Sequence, residues 1–293
     1  MPARDVLFHR RFWAQLELWL GLFVYLASLG VAQWMASRTG VRGVNFVYIF
    51  ILAIVIFHAY LEHGLSRRLL LSLSLVPLIR LLELAIPPAS FYQLYRWVLV
   101  MVPVFVAAVV LMARLKLGVR EVGLTAPRKI PRNFAGTPDL KIEFTGSPKI
   151  RRIFGVWMSG LPWQAGVALS GFPLGLAEWL AFRPERLVVG LGWEDLILPG
   201  LGFLLCGFVV ELIFRGIMQQ TFGNALGWPG LVYVSLIFGL VNMSRPSGLG
   251  FLLGFGAGLF FAWVVRRTGS LFGVAFAHGI AAWELYLLLP GLA

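Results

Sequence analysis

Long uninterrupted apolar runs, rather than a regular alternation of apolar and polar positions, dominate this chain. A helix that faces water on one side carries an apolar stripe, whereas one that is apolar all round must be enclosed by lipid or protein. About 20 such residues cross a hydrocarbon core of about 30 Å. On that criterion about nine spans are expected, at 12–35, 44–62, 69–86, 92–113, 154–180, 196–220, 229–244, 247–266 and 270–290. The expected fold is all-α, a polytopic transmembrane helical bundle. No inverted internal repeat of the kind that marks many transporters is visible.

One polar stretch interrupts the pattern. It divides the chain into an N-terminal four-span membrane region (1–113), a basic loop (114–152) and a C-terminal membrane core (153–293). Pro127, Pro131, Pro138 and Pro148 punctuate the loop, leaving room for one short strand around Leu140–Phe144.

Composition sharpens the membrane reading. The 293 residues are 59% hydrophobic and only 13% charged, with mean hydropathy +0.84, where a soluble domain carries about 25% charged residues. The net charge is +12, and ten of the 25 Lys and Arg lie between Arg114 and Arg152. Nucleic-acid binding would interleave basic residues with aromatics on a folded face. A cytoplasmic loop obeying the positive-inside rule explains the same charges, so the expected partner is the lipid bilayer and no nucleic acid. With the N-terminus cytoplasmic, Arg67, Arg68, Arg266 and Arg267 also fall inside, while Arg38, Arg42, Arg245 and the segment 183–195 fall outside. The loop is then a candidate docking surface for anionic headgroups. The run from Phe12 to Met35 is too long for a signal-peptide core and reads as a retained helix. Cys206 is the sole cysteine, so no intramolecular disulfide is available.

Among the ionisable residues in or at the ends of the spans are Glu17, Glu62, Arg80, Glu83, Arg96, Glu178, Glu211, Arg215, His278 and Glu284. A charge at the bilayer centre costs roughly 2.5–3.5 kcal/mol on insertion scales, so each needs a partner, a wet cavity or a route to the surface. Glu17, Glu62, Arg96, Glu178 and Glu284 sit near span ends and read as headgroup-level charges. Arg80 and Glu83, three residues apart, read as an ion pair within the bundle. Glu211 and Arg215 share one helical face at i,i+4, well inside their span, and His278 is apolar on both sides. In the Gly-rich run "GLGFLLGFGAGLFFAW", Gly250, Gly254 and Gly258 line one face and fit close helix packing, within this chain by default.

Three motifs in the last third carry a resemblance. "VELIFRG" holds Val210, Glu211, Phe214, Arg215 and Gly216; "FGLVN" holds Phe238 and Asn242; "RRTGSLFGVAFAHGIAA" holds Thr268, Gly269, Ser270, Leu271, His278 and Ala282. Over roughly residues 160–290 the chain resembles the CPBP family, the CAAX protease and bacteriocin-processing (Abi) intramembrane proteases. The first motif of that family has two adjacent glutamates before its Arg, the second a histidine, and the last an Asn or Asp four residues after its histidine. The resemblance implies peptide hydrolysis within the membrane, a glutamate acting as general base on water while the histidines and the Asn or Asp place that water and stabilise the oxyanion. A bacterial inner membrane is the expected location.

The departures bear on activity. Val210, Asn242 and Ala282 replace three of the family's four water-handling positions, leaving Glu211, His278 and the motif residues Arg215 and Phe238. Valine abstracts no proton, and an amide at 242 donates a hydrogen bond without shuttling one. A glutamate clamped by Arg215 is a poor base, so that pair reads as architecture of the family fold. The leading expectation is a catalytically degenerate homologue that binds a transmembrane or lipidated peptide, or partners an active membrane protease. The alternative is a divergent but active endopeptidase, with Glu211 as base, His278 as acid and Asn242 as oxyanion donor. Zinc catalysis needs three protein ligands and an open position; Glu211, His278 and an amide do not supply them, so no metal and no cofactor are expected.

Overall fold

The apolar runs fold as helices. In the computed structural model residues 3–39, 41–85, 93–125, 160–184, 193–242 and 248–292 are described, and every regular element among them is helical. The order is α1 (Ala3–Thr39), α2 (Val41–Leu61), α3 (Gly64–Leu73), α4 (Leu75–Ala85) and α5 (Gln93–Leu115), then α6 (Leu161–Leu169) and α7 (Gly171–Phe182). Next comes α8 (Trp193–Glu211), prolonged by a π-helical turn (Leu212–Met218) and a last α-helical stretch (Gln219–Leu226). The chain ends with α9 (Trp228–Val241), α10 (Gly248–Thr268) and α11 (Phe272–Trp283), the last prolonged by a second π-turn (Glu284–Leu288) and by Leu289–Leu292. The strand expected around Leu140–Phe144, and most of the basic loop with it, lies outside the described residues.

Among the described residues six helices are long and apolar enough to cross a membrane: Gln15–Ala36, Val44–Leu61, Arg96–Leu115, Pro162–Phe182, Leu196–Leu226 and Gly248–Thr268. Two shorter apolar helices, Trp228–Val241 and Phe272–Leu288, accompany them. Together these coincide with the expected segments apart from the third, 69–86, which is split into α3 and α4 at Ser74. The cause lies three residues on. Pro77 has no N–H for the Leu73 carbonyl, so the helical ladder fails there. The Tyr25 hydroxyl of α1 donates to that freed carbonyl at 2.8 Å.

The outer surface is apolar, as lipid requires: Phe46 is 74% exposed and Phe23 67%. Polar groups are turned inward. Tyr48 and Arg80 both donate to Oε1 of Gln33, at 3.0 and 2.9 Å, and Arg80 forms the expected ion pair with Glu83. Tyr233 of α9 donates to the Leu22 carbonyl of α1 at 2.8 Å, tying the two halves together. Such interhelical bonds average about 0.6 kcal/mol each in a membrane protein. The all-α polytopic bundle is thus an integral membrane protein.

Half of the Leu196–Leu226 span is buried, against 28% of each of the first two spans, so α8 forms the centre of the bundle. Glycines set its packing. α10 lies on α9 through Gly254 against Gly239 and Gly258 against Ser235, so its glycine face packs within the chain. At the end of the bundle that holds the α10–α11 turn, residues 116–125 wrap inward after α5. Val122 is buried beneath Gly216, and the Gly123 carbonyl accepts from the Leu271 N–H at 3.0 Å. Gly123 holds φ +79°, a backbone region unfavourable to any residue with a Cβ. Gly123→Ala is therefore expected to lower stability by about 1–2 kcal/mol, read as a shift of the thermal unfolding midpoint in detergent. An unchanged midpoint would mean that this wrap contributes nothing to the fold.

Candidate functional site

Glu211 is the last residue of the regular part of α8, and the π-turn begins immediately after it. A π-turn replaces i→i+4 bonding with i→i+5 and recurs at functional sites. This one is wholly buried over Leu212–Met218 and carries Phe214, Arg215 and Gly216 of the first motif. The second motif's Phe238 arrives from α9 and His278 from the middle of α11.

Two glycines bring Glu211 and His278 together. Gly207 lies one turn before Glu211, and Gly279 follows His278. A Cβ on Gly207 would sit 2.5 Å from the Gly279 nitrogen, and one on Gly279 would sit 2.6 Å from Cα of Leu204. Only backbone-to-backbone contact allows α8 and α11 this approach. Across it, Nδ1 of His278 lies 2.7 Å from Oε1 of Glu211, the distance of a charge-assisted hydrogen bond.

The second oxygen of Glu211 faces Arg215. Oε2 is 3.3 Å from Nε, and both side chains are completely shut off from the surface. Among the described residues no N–H of Arg215 is aligned on an acceptor. Its charge is held by nearness to the carboxylate and by the ring of Phe238, whose centroid is 4.5 Å from the guanidinium carbon. A desolvated cation–π contact contributes about 2 kcal/mol. Phe238 also meets the His278 ring edge-on at 5.7 Å, and Phe261 of α10 tilts against it at 6.5 Å. Phe238 therefore touches both the cation and the imidazole.

The remaining sequence-derived positions are arranged differently. Asn242 caps the end of α9, its Nδ2 donating to the Phe238 carbonyl at 2.9 Å. It makes no hydrogen bond to Glu211 or His278. Val210 and Ala282 are partly buried. Glu284, expected at headgroup level, is instead buried, because Gly175 of α7 opens a notch that its Oε2 enters. Glu178, one turn further along α7, is half-buried. Gly207, Gly279 and Phe261 are the site residues that the motifs do not point to. For the glycines a signal exists in their spacing: one stands four residues before the glutamate, the other next to the histidine.

Chemically the arrangement is a buried carboxylate that orients an imidazole, backed by a cation and walled by aromatic rings. Side-chain accessibility separates its members: His278 is 18% exposed, while Glu211 and Arg215 are at 0%. No group of three His, Cys, Asp or Glu side chains able to hold a metal ion occurs among the described residues.

Neither a curated protein nor a solved structure matches this chain. A family model does, the one described as "Type II CAAX prenyl endopeptidase Rce1-like", over residues 192–283. That segment is less than half of the chain and contains Glu211, Arg215, Phe238, Asn242, His278 and Ala282. The chain thus carries, over residues 192–283, a domain similar to the Rce1-like type II CAAX prenyl endopeptidases, within the CPBP family that its motifs resemble.

Proposed function

We propose that this intramembrane protease homologue has lost the water-activating chemistry of the CPBP family and binds a transmembrane or lipidated peptide without cutting it, alone or as the partner of an active protease. The observation that carries this reading is the enclosure of Glu211. A general base must reach the water that it deprotonates. Here one carboxylate oxygen is bonded to His278, the other faces Arg215, and the side chain is 0% exposed. Val210 supplies no second carboxylate, and the Asn242 amide is committed to its own helix end.

A second reading, a divergent endopeptidase, is favoured by one feature. His278 is partly exposed and carries a carboxylate on Nδ1, an arrangement that supports nucleophile activation in other hydrolases.

A cleavage assay separates the two. The purified full-length protein is incubated with transmembrane and prenylated reporter peptides, alongside a Val210→Glu, Asn242→His, Ala282→Asn triple variant. The expected result is no cleavage by the wild type and measurable cleavage by the triple variant, a restored general base contributing about 100- to 10,000-fold. Cleavage by the wild type that His278→Ala abolishes would instead establish the second reading.

A further inference from the structure

The resemblance assigns the leading role to a glutamate, yet in this chain the glutamate is the inaccessible member of the pair. We infer that His278 is the group of this site that meets a bound molecule, through Nε2 acting as a hydrogen-bond acceptor, and that Glu211 is a positioning residue acting through His278.

The argument begins with Nδ1. A carboxylate oxygen at 2.7 Å can only accept, so the proton of that bond resides on Nδ1. In the neutral imidazole this leaves the lone pair on Nε2. The ring is held by two aromatic contacts, with Phe238 edge-on and Phe261 tilted. Its orientation is therefore set by packing as well as by the carboxylate. Of Glu211, Arg215 and His278, only His278 retains exposed side-chain surface.

The charged surroundings agree with this. α8 contributes Glu211 and, behind it, Arg215, which neutralise each other as a buried pair. α7 carries the half-buried Glu178. α9 and α10 contribute the rings of Phe238 and Phe261. With Nδ1 committed to Glu211, Nε2 of the neutral ring is an acceptor and favours a ligand that brings a donor.

The chemistry of a matching ligand follows. Inside a bilayer a helical peptide has its interior backbone N–H groups satisfied internally and offers Nε2 no backbone donor. A locally unwound segment has N–H groups that each cost several kcal/mol if left unpaired. An apolar-walled acceptor within the membrane selects such a segment. That this ligand is a peptide rests on the function proposed above; the identity of the presenting group does not.

Two measurements on the full chain in lipid nanodiscs test the inference. In the first, ¹⁵N-histidine NMR reads the tautomer of His278, assigned by its loss in His278→Gln. The wild type is expected to show the Nδ1–H form, and Glu211→Gln to populate both forms, a change that a purely packing role for Glu211 would not produce. In the second, diethyl pyrocarbonate is the probe, with mass spectrometry reporting each histidine. His278, at 18% side-chain exposure, is expected to be labelled, more slowly than His58, whose side chain is 54% exposed. A transmembrane peptide with a Gly-Pro break is expected to slow labelling of His278 several-fold and leave His58 unchanged.

An Nε2–H tautomer in the wild type, or no labelling of His278 while His58 reacts, would overturn the inference. Peptide binding without protection of His278 would overturn it equally. Cleavage by the wild type would sink the proposed function while leaving the tautomer and labelling results intact, so the two failures are distinguishable.

Discussion

Arg215→Met is expected to destabilise the folded protein by about 3–5 kcal/mol, the range seen when one partner of a buried ion pair is removed. Glu211 would lose the cation 3.3 Å from Oε2, and Phe238 would lose the guanidinium over its ring. The carboxylate cannot turn to water, because its side chain is 0% exposed. The double variant Glu211→Gln, Arg215→Met removes both charges and is expected to recover most of the loss, since a buried pair exchanged for neutral groups is often neutral in stability. Unfolding in mixed detergent micelles measures both. A loss below about 1 kcal/mol in the single variant, the scale of an exposed pair, would show that the pair does not clamp the site.

Gly207→Leu should do more to the site than to the fold as a whole. Its Cβ would fall 2.5 Å from the Gly279 nitrogen and 2.7 Å from the Ala275 carbonyl, both backbone atoms that cannot swing aside. α8 and α11 would have to separate, at an overpacking cost of about 1–3 kcal/mol. The hydrogen bond from His278 to Glu211 spans that same crossing and is expected to be lost. In the NMR experiment the His278 tautomer preference then disappears. Gly256→Leu is the control, since a Cβ there meets nothing within 4 Å. If Gly207→Leu keeps the wild-type tautomer, the close crossing is not what assembles the pair.

Much of this architecture is legible in the amino-acid sequence itself. Apolar runs report lipid-facing helices directly, and the i,i+4 spacing of Glu211 and Arg215 makes their pairing expected. The split of the third span is harder to read. Pro77 stands in an apolar run whose composition alone is that of a membrane helix, and only the Tyr25 hydroxyl, 48 residues before Leu73, makes the break tolerable. Glu284 departs from its expected place for a related reason: a carboxylate near a span end is normally solvated, but the notch at Gly175 is a tertiary feature. The meeting of Glu211 with His278 crosses 67 residues and depends on two glycines with no side chain to betray their purpose. Asn242 shows the opposite limit, since a motif position fixes where a residue stands along its helix and leaves open what its amide will bond.

The helices around the site also differ greatly in length. The span Leu196–Leu226 has 31 residues and Trp228–Val241, which follows it, has 14. At 1.5 Å per residue these reach about 46 and 21 Å, on either side of a hydrocarbon thickness of about 30 Å. No flat bilayer suits both. The long helix has to tilt or project, and the membrane beside the short one has to thin. Thinning draws headgroups and water inward where α9 meets lipid, and it sets a preference for thin membranes over thick ones. The fold thereby shapes the lipid beside α9.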